Sequence, residues 1–165
     1  MTKLEDVTNL ADAVRFHSRS RGDSIIFDFE NRLSTFAQFD VHTNQVANGL
    51  AVLGVKPGER IAYIGKNSDI YFELLIGAMK AGVVMTPVNW RLAGPEIAFI
   101  VEDCKAAILF VGPEFIDQVR GIKDQIPSVR MIMTSEGGAP EWKDVVPWRD
   151  AQSSADPGRP IDAGE

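Results

Sequence analysis

One cysteine, Cys104, occurs in the 165 residues, which excludes an internal disulfide and any zinc centre built on paired cysteines. Histidine is nearly as scarce, with only His17 and His42. Basic residues are outnumbered, 17 Lys and Arg against 23 Asp and Glu, and the formal net charge is -6. With no basic cluster, broad electrostatic binding to nucleic acid or anionic lipid is not expected. No apolar run approaches the roughly 18 residues a membrane span needs. Met1-Thr2-Lys3-Leu4-Glu5-Asp6 lacks the apolar core of a signal peptide. These absences point to a cytoplasmic globular chain.

Phosphate-binding signatures are missing as well. No G-x-G-x-x-G occurs, and the nearest approach to a P-loop is Gly58 through Gly65-Lys66-Asn67. It places six residues between the glycines where four belong, and Asn where Ser or Thr follows the lysine. The intervening Arg60 to Ile64 read as a strand, so they are not available to cradle a phosphate.

What is present is a hydrophobic fraction of 45% in a chain long enough to bury its own core. Leu10, Ala13, Val14 and His17 fall at helical spacing, with Gly22 closing the segment. Ser24 to Phe29 is β-rich, Glu30-Asn31-Arg32 offers a tight turn, and Leu33-Ser34 begins a return strand. A long helix follows, with Phe36, Phe39, Thr43, Val46, Ala47, Leu50 and Leu53 on one face. Thr35 and Gln38 have the spacing of a capping box, and Gly54 ends the helix.

The chain then alternates. Strands are predicted at Arg60 to Ile64, Val83 to Val88, Ala106 to Val111 and Val129 to Met133. Helices are predicted over Asp69 to Ala81, from Pro95 and Glu96 to Cys104, and over Pro113 to Ile126. Four apolar strands separated by amphipathic helices imply right-handed crossovers and a mainly parallel sheet with flanking helices, an α/β fold. Pro87, lacking an N–H, is expected to end the second strand's ladder. Trp142 to Arg149 reads as at best a short helix, and Ala151 to Glu165, rich in Ser, Pro and Gly, as a connector.

Candidate reactive groups are few. His17 and His42 lie on predicted helices with no nucleophile pattern nearby. Cys104 sits on an apolar helix face, the setting of an inert thiol. Glu102 and Asp103 are adjacent, so on a helix they diverge and do not form a dyad. The remaining carboxylates read as solvated helix faces. One cluster joins polar, aromatic and cationic character: Asn89-Trp90-Arg91-Leu92, at the C-terminal end of a predicted strand. That edge of an open parallel sheet is where ligands bind. A structural role competes, with Asn89 bonding its own loop and Arg91 pairing with a carboxylate.

Taken in order, several segments resemble the adenylate-forming enzymes: acyl-CoA synthetases, luciferases and peptide-synthetase adenylation domains. Thr35-Phe36-Ala37-Gln38-Phe39-Asp40 is similar to their T-Y-x-E-L opening. Leu53-Gly54-Val55-Lys56-Pro57-Gly58-Glu59-Arg60-Ile61-Ala62 resembles L-G-V-x-x-G-D-R-V-A, and Asn67-Ser68 matches N-S. Met79-Lys80-Ala81-Gly82-Val83-Val84-Met85-Thr86-Pro87-Val88-Asn89 resembles L-K-A-G-x-x-x-x-P-x-N. Arg91-Leu92 and Glu96 to Asp103 continue the likeness, which runs over about residues 10–135 and is most like a fatty-acid–CoA ligase. Gln38 and Ala93-Gly94-Pro95 depart from the family pattern.

The resemblance implies a first subdomain of the family's large N-terminal domain over residues 1–150, followed by a connector, 151–165, toward a phosphate loop beyond Glu165. For a full-length enzyme it implies ATP, Mg and CoA, with a carboxylic acid converted through an acyl-adenylate to the thioester. No residue of this chain inherits a catalytic, cofactor-binding or metal-binding role from it, so the 165 residues are expected to be inactive alone. The implied partners are the remainder of the same enzyme and its small-molecule acid, with self-association through exposed apolar surface. A stand-alone, non-catalytic α/β binding module derived from the subdomain is the alternative. A flavodoxin-type nucleotide-binding switch is a third possibility, weakened by the absence of a phosphate loop.

Overall fold

The computed structural model describes residues 7–159; Met1 to Asp6 and the last six residues of the expected connector lie outside them. Asn9 opens α1 (Leu10–Arg21) by accepting the Asp12 N–H. β1 (Ile25–Phe29) and β2 (Arg32–Thr35) form an antiparallel hairpin. Its loop is only Glu30 and Asn31, both at positive φ (47° and 65°), the backbone that matches a two-residue turn to strand twist. Arg32, expected in the turn, is the first paired residue of β2.

α2 (Phe36–Val52) begins at the anticipated capping box: Thr35 Oγ1 accepts the Gln38 N–H at 3.2 Å, and Gln38 Oε1 accepts the Thr35 N–H at 2.9 Å. β3 (Arg60–Ile64) leads to α3 (Asp69–Ala81), which Ser68 caps and Gly82 ends in the left-handed region at φ 69°. β4 (Val84–Val88), α4 (Gly94–Asp103) and β5 (Ala106–Val111) follow. α5 is shorter than its periodicity suggests, Ile116–Ile122, with a 3-10 turn at each end. Its apolar stripe is nevertheless intact, since Phe115, Ile116, Val119, Ile122 and Ile126 are all buried. β6 (Met131–Thr134), β7 (Lys143–Asp144) and α6 (Val145–Asp150) complete the described elements.

The main sheet has five strands, one more than the pattern indicated, in the order β4-β3-β5-β6-β7, all parallel. β7 escapes sequence reading because two residues carry no period. Pro87 does not end the ladder: Val88 stays in register with Ile64. β4 is an edge strand, where a missing N–H is tolerated.

Strand alternation divides the core. Ile61 and Tyr63 of β3, with Ile108 and Phe110 of β5, pack toward α2, α3 and α6. Ala62, Ile64, Leu109 and Val111 pack toward α4 and α5 on the other face. A third cluster joins α1 and the hairpin to α2 and α3 through Ala11, Val14, Phe39 and Ile76. Apolar side chains left exposed include Ile25, Leu33, Val52, Val84 and Phe99.

α3 packs closely on α2. A Cβ on Gly77 would land on the Val46 side chain and 3.0 Å from the Thr43 carbonyl oxygen. Gly77→Ala is therefore expected to lower stability. The helix-propensity gain of about 1 kcal/mol is outweighed by an overpacking cost of about 1–3 kcal/mol. Urea unfolding checks this, and an unchanged or raised midpoint would contradict the packing argument.

Candidate functional site

Because every strand of the main sheet is parallel, the loops after β3, β4, β5 and β6 gather on one edge. The strand order has its topological switch between β3 and β5, the position where such sheets open a ligand crevice. Here the two chain segments stay together one residue past the strands. The Gly112 N–H donates to the Ile64 carbonyl at 2.8 Å, and a Cβ on Gly112 would stand 3.1 Å from Gly65 Cα. A Cβ on Gly65 would meet the Tyr63 ring, whose hydroxyl donates to the Lys66 carbonyl at 2.9 Å. Burial pushes that phenol up to about 12, so it serves as a neutral tie.

Asn89, Trp90 and Arg91 lie on this edge, directly after β4. Asn89 Oδ1 accepts the Arg91 N–H at 3.0 Å, as the structural reading expects. Among the described residues Arg91 takes no carboxylate partner; its guanidinium stacks on Trp90, 3.9 Å from the ring centroid. Trp90 leans on Phe115 with centroids 5.8 Å apart, and the Lys66 ammonium is 6.0 Å from its ring. Lys66 is also paired with Glu114 at 2.8 Å.

A second group on the same side of the molecule was not apparent in the sequence. A cleft of about 690 Å³ opens between the hairpin, α3 and α6, lined by Arg32, His42, Asp69, Glu73, Glu136 and Arg149 among others. Arg32 grips Asp69 bidentately, at 2.9 and 2.8 Å, and reaches Glu136 at 2.7 Å. The Asp69 hydrogen bonds drive Arg32 further above its already high range. Glu73 is buried, with one oxygen 2.7 Å from His42 Nδ1 and the other on the Arg149 guanidinium. Arg149 is itself buried and also contacts Asp150.

Glu73 and Asp69 thus correct the expectation of solvated helix carboxylates, and His42 is paired. No periodicity could signal this. Burial of charge depends on partners 31 and 76 positions away in the chain. The other sequence candidates are ordinary in place. His17 packs between Phe16 and Phe36. Cys104 is half-buried with its thiol on the Val101 carbonyl, and Glu102 binds Lys105 and the Ser128 N–H.

Chemically, these groups hold one another. The Gly58 and Gly65 ends of the P-loop-like segment lie at opposite ends of β3. Lys66 is committed to Glu114, and the first turn of α3 carries Asp69, which repels an anion. Among the described residues no group of three or more His, Cys, Asp or Glu is arranged to hold a metal ion. No reaction step is assigned to these residues.

A double-mutant cycle measures the buried pair. Glu73→Gln should cost about 3 kcal/mol, because Arg149 is left buried without its main partner. Replacing both, with Glu73→Leu and Arg149→Met, should recover most of that loss. A single-mutant cost below about 1 kcal/mol would mean the pair behaves as a surface one.

Comparison with known proteins gives this edge its context. Residues 14–164 match the AMP-binding enzyme family. The fatty acid–[acyl-carrier-protein] ligase ScoC of Streptomyces coeruleorubidus is 38% identical over 106 residues, 64% of this chain and 20% of that protein. The long-chain-fatty-acid–CoA ligase FadD13 of Mycobacterium tuberculosis is 35% identical over 91 residues, 55% of this chain and 18% of its own length. Among solved structures, the anthranilate CoA ligase AuaEII in complex with anthranoyl-AMP superposes with a TM-score of 0.85 at 26% identity, over 93% of this chain and 30% of that one. The N-terminal domain of FACL13 from Mycobacterium tuberculosis shares the fold, with a TM-score of 0.84 at 23% identity over 93% of this chain and 38% of that one. The chain spans about a fifth of the length of the curated relatives it matches. No helix among the described residues is long and apolar enough to cross a membrane. The α/β fold and the match over nearly the whole chain together place this protein in the AMP-binding, adenylate-forming enzyme family.

Proposed function

We propose that this chain is the first part of an ATP-dependent acyl-CoA ligase. In this reading it supplies scaffold to an enzyme that joins a fatty acid to CoA with release of AMP and pyrophosphate. The family match over residues 14–164, with relatives named as acid–thiol ligases, carries the reading. Residues 1–150 are the N-terminal subdomain and 151–165 the connector toward a phosphate-binding region. The parent enzyme is cytoplasmic and uses ATP, Mg and CoA.

The chain by itself is inactive in this reading, because most of the charged groups at its sheet edge are paired with one another, Lys66 with Glu114 and Arg32 with Asp69 and Glu136. The Asn89-Trp90-Arg91 loop is a rim of the ligand side, presenting a cation stacked on an aromatic face. Exposed apolar residues such as Leu33 and Phe99 belong to surface covered by the remainder of the enzyme. They give the isolated chain a tendency to self-associate.

ATP–pyrophosphate exchange with a panel of fatty acids tests both halves of the proposal. The chain alone should give background exchange. A chimera in which it replaces the matching segment of FadD13 should restore exchange with a fatty acid. Turnover by the chain alone would overturn its scaffold role, and a folded chimera without exchange would overturn the ligase assignment.

A further inference from the structure

We propose that residues 151–159 are a releasable strap over the Lys80 amine, and that Asn44 couples docking of the strap to burial of that lysine. Lys80 sits in the last turn of α3 and is 0% exposed, the largest fully buried cationic side chain among the described residues. Its ammonium donates to Asp40 Oδ1 at 2.5 Å and to Asn44 Oδ1 at 2.7 Å, both on α2. The same Asn44 side chain donates through Nδ2 to the Ser154 carbonyl at 3.1 Å. One amide therefore bridges the buried amine and the strap.

The strap is otherwise held from outside. Asn48 Nδ2 donates to the Ser153 and Ala155 carbonyls at 2.7 and 2.9 Å. Arg15 of α1 grips Asp156 bidentately at 2.8 and 3.0 Å. The Arg159 guanidinium lies over Gly82, where a Cβ would meet it at 2.7 Å. Residues 153–158 are themselves exposed and contribute nothing to the apolar core. The strap's bonds from Asn44 and Arg15 are part-buried, these side chains being 4% and 13% exposed, but the segment itself buries little apolar area and so opens at lower cost than the fold beneath it.

Opening has a chemical consequence. Burial holds the Lys80 amine below the ordinary lysine range, against the opposing pull of Asp40. With the strap docked this amine is out of reach; with the strap released it meets solvent, while Asp40 remains beside it.

Acetic anhydride labelling of lysines, read peptide by peptide by mass spectrometry, tests the proposal together with amide hydrogen exchange. Asn48→Ala removes two strap bonds and leaves every charge near Lys80 in place; Val52→Ser, exposed on the same helix, is the control. Lys80 should resist labelling in the unaltered chain and in Val52→Ser. In Asn48→Ala its labelling should rise roughly tenfold relative to Lys105, the population change expected from losing two hydrogen bonds at the weaker end of their ordinary range. The amides of 152–158 should exchange faster in parallel. Rapid labelling of Lys80 in the unaltered chain overturns the proposal. So does faster strap exchange with Lys80 still protected, or no change in either readout. Loss of protection in β3 and β5 as well would mean global opening, and that too overturns a local latch.

Discussion

The close approach of α3 to α2 across Gly77 is the constraint on which the rest of the molecule depends. One turn before Gly77 stands Glu73, and nearly one turn after it stands Lys80, so all three share a helix face. The missing side chain lets the backbones come together, and at that separation both charged side chains reach across. Glu73 meets His42 of α2 and Arg149 of α6, and Lys80 meets Asp40 and Asn44 of α2. The adjoining stripe of α3, Ile70, Leu74 and Ala78, packs in the cluster shared with α2 and the sheet. A wider gap would leave two buried charges without partners, a cost of several kcal/mol for each. Packing and charge pairing therefore support each other at this one contact, and Arg149 ties α6 to α3 there.

Most of the architecture follows from local signals. The capping box at Thr35 and Gln38, the left-handed Gly82 and the apolar strands Arg60–Ile64 and Ala106–Val111 each encode their element within a few residues. Local reading fails where the decisive partner is distant. Glu73 and Lys80 look like solvated helix residues until His42, Arg149, Asp40 and Asn44 are brought to them by the tertiary fold. The two-residue β7 and the split of α5 into α and 3-10 turns depend equally on packing rather than period. The position of Asn89, Trp90 and Arg91 at the sheet edge was legible because a strand end fixes it. The partner of Arg91 was not, since stacking on its neighbour Trp90 competes with any carboxylate within reach.

The sheet edge separates scaffold from chemistry. In open parallel sheets the switch between the first and third strands is the natural place for a ligand. Here Gly65 and Gly112 bring the two chain segments together just past the strand ends, Lys66 is paired with Glu114, and Arg91 is stacked on Trp90. A strand order of this type can serve a complete nucleotide-binding switch, but the family match assigns the chain to the adenylate-forming enzymes instead. Residues that stabilise a fold by mutual pairing are poorly placed to stabilise a developing charge on a substrate, because each would have to give up a partner first.

On the proposed reading this chain is a folded scaffold whose own residues hold no nucleotide. Isothermal calorimetry of Mg·ATP titrated into the 165-residue chain tests it most directly. A scaffold without a nucleotide site gives heats no greater than those of dilution, with the fold intact by circular dichroism before and after. Saturable, stoichiometric binding would contradict that reading.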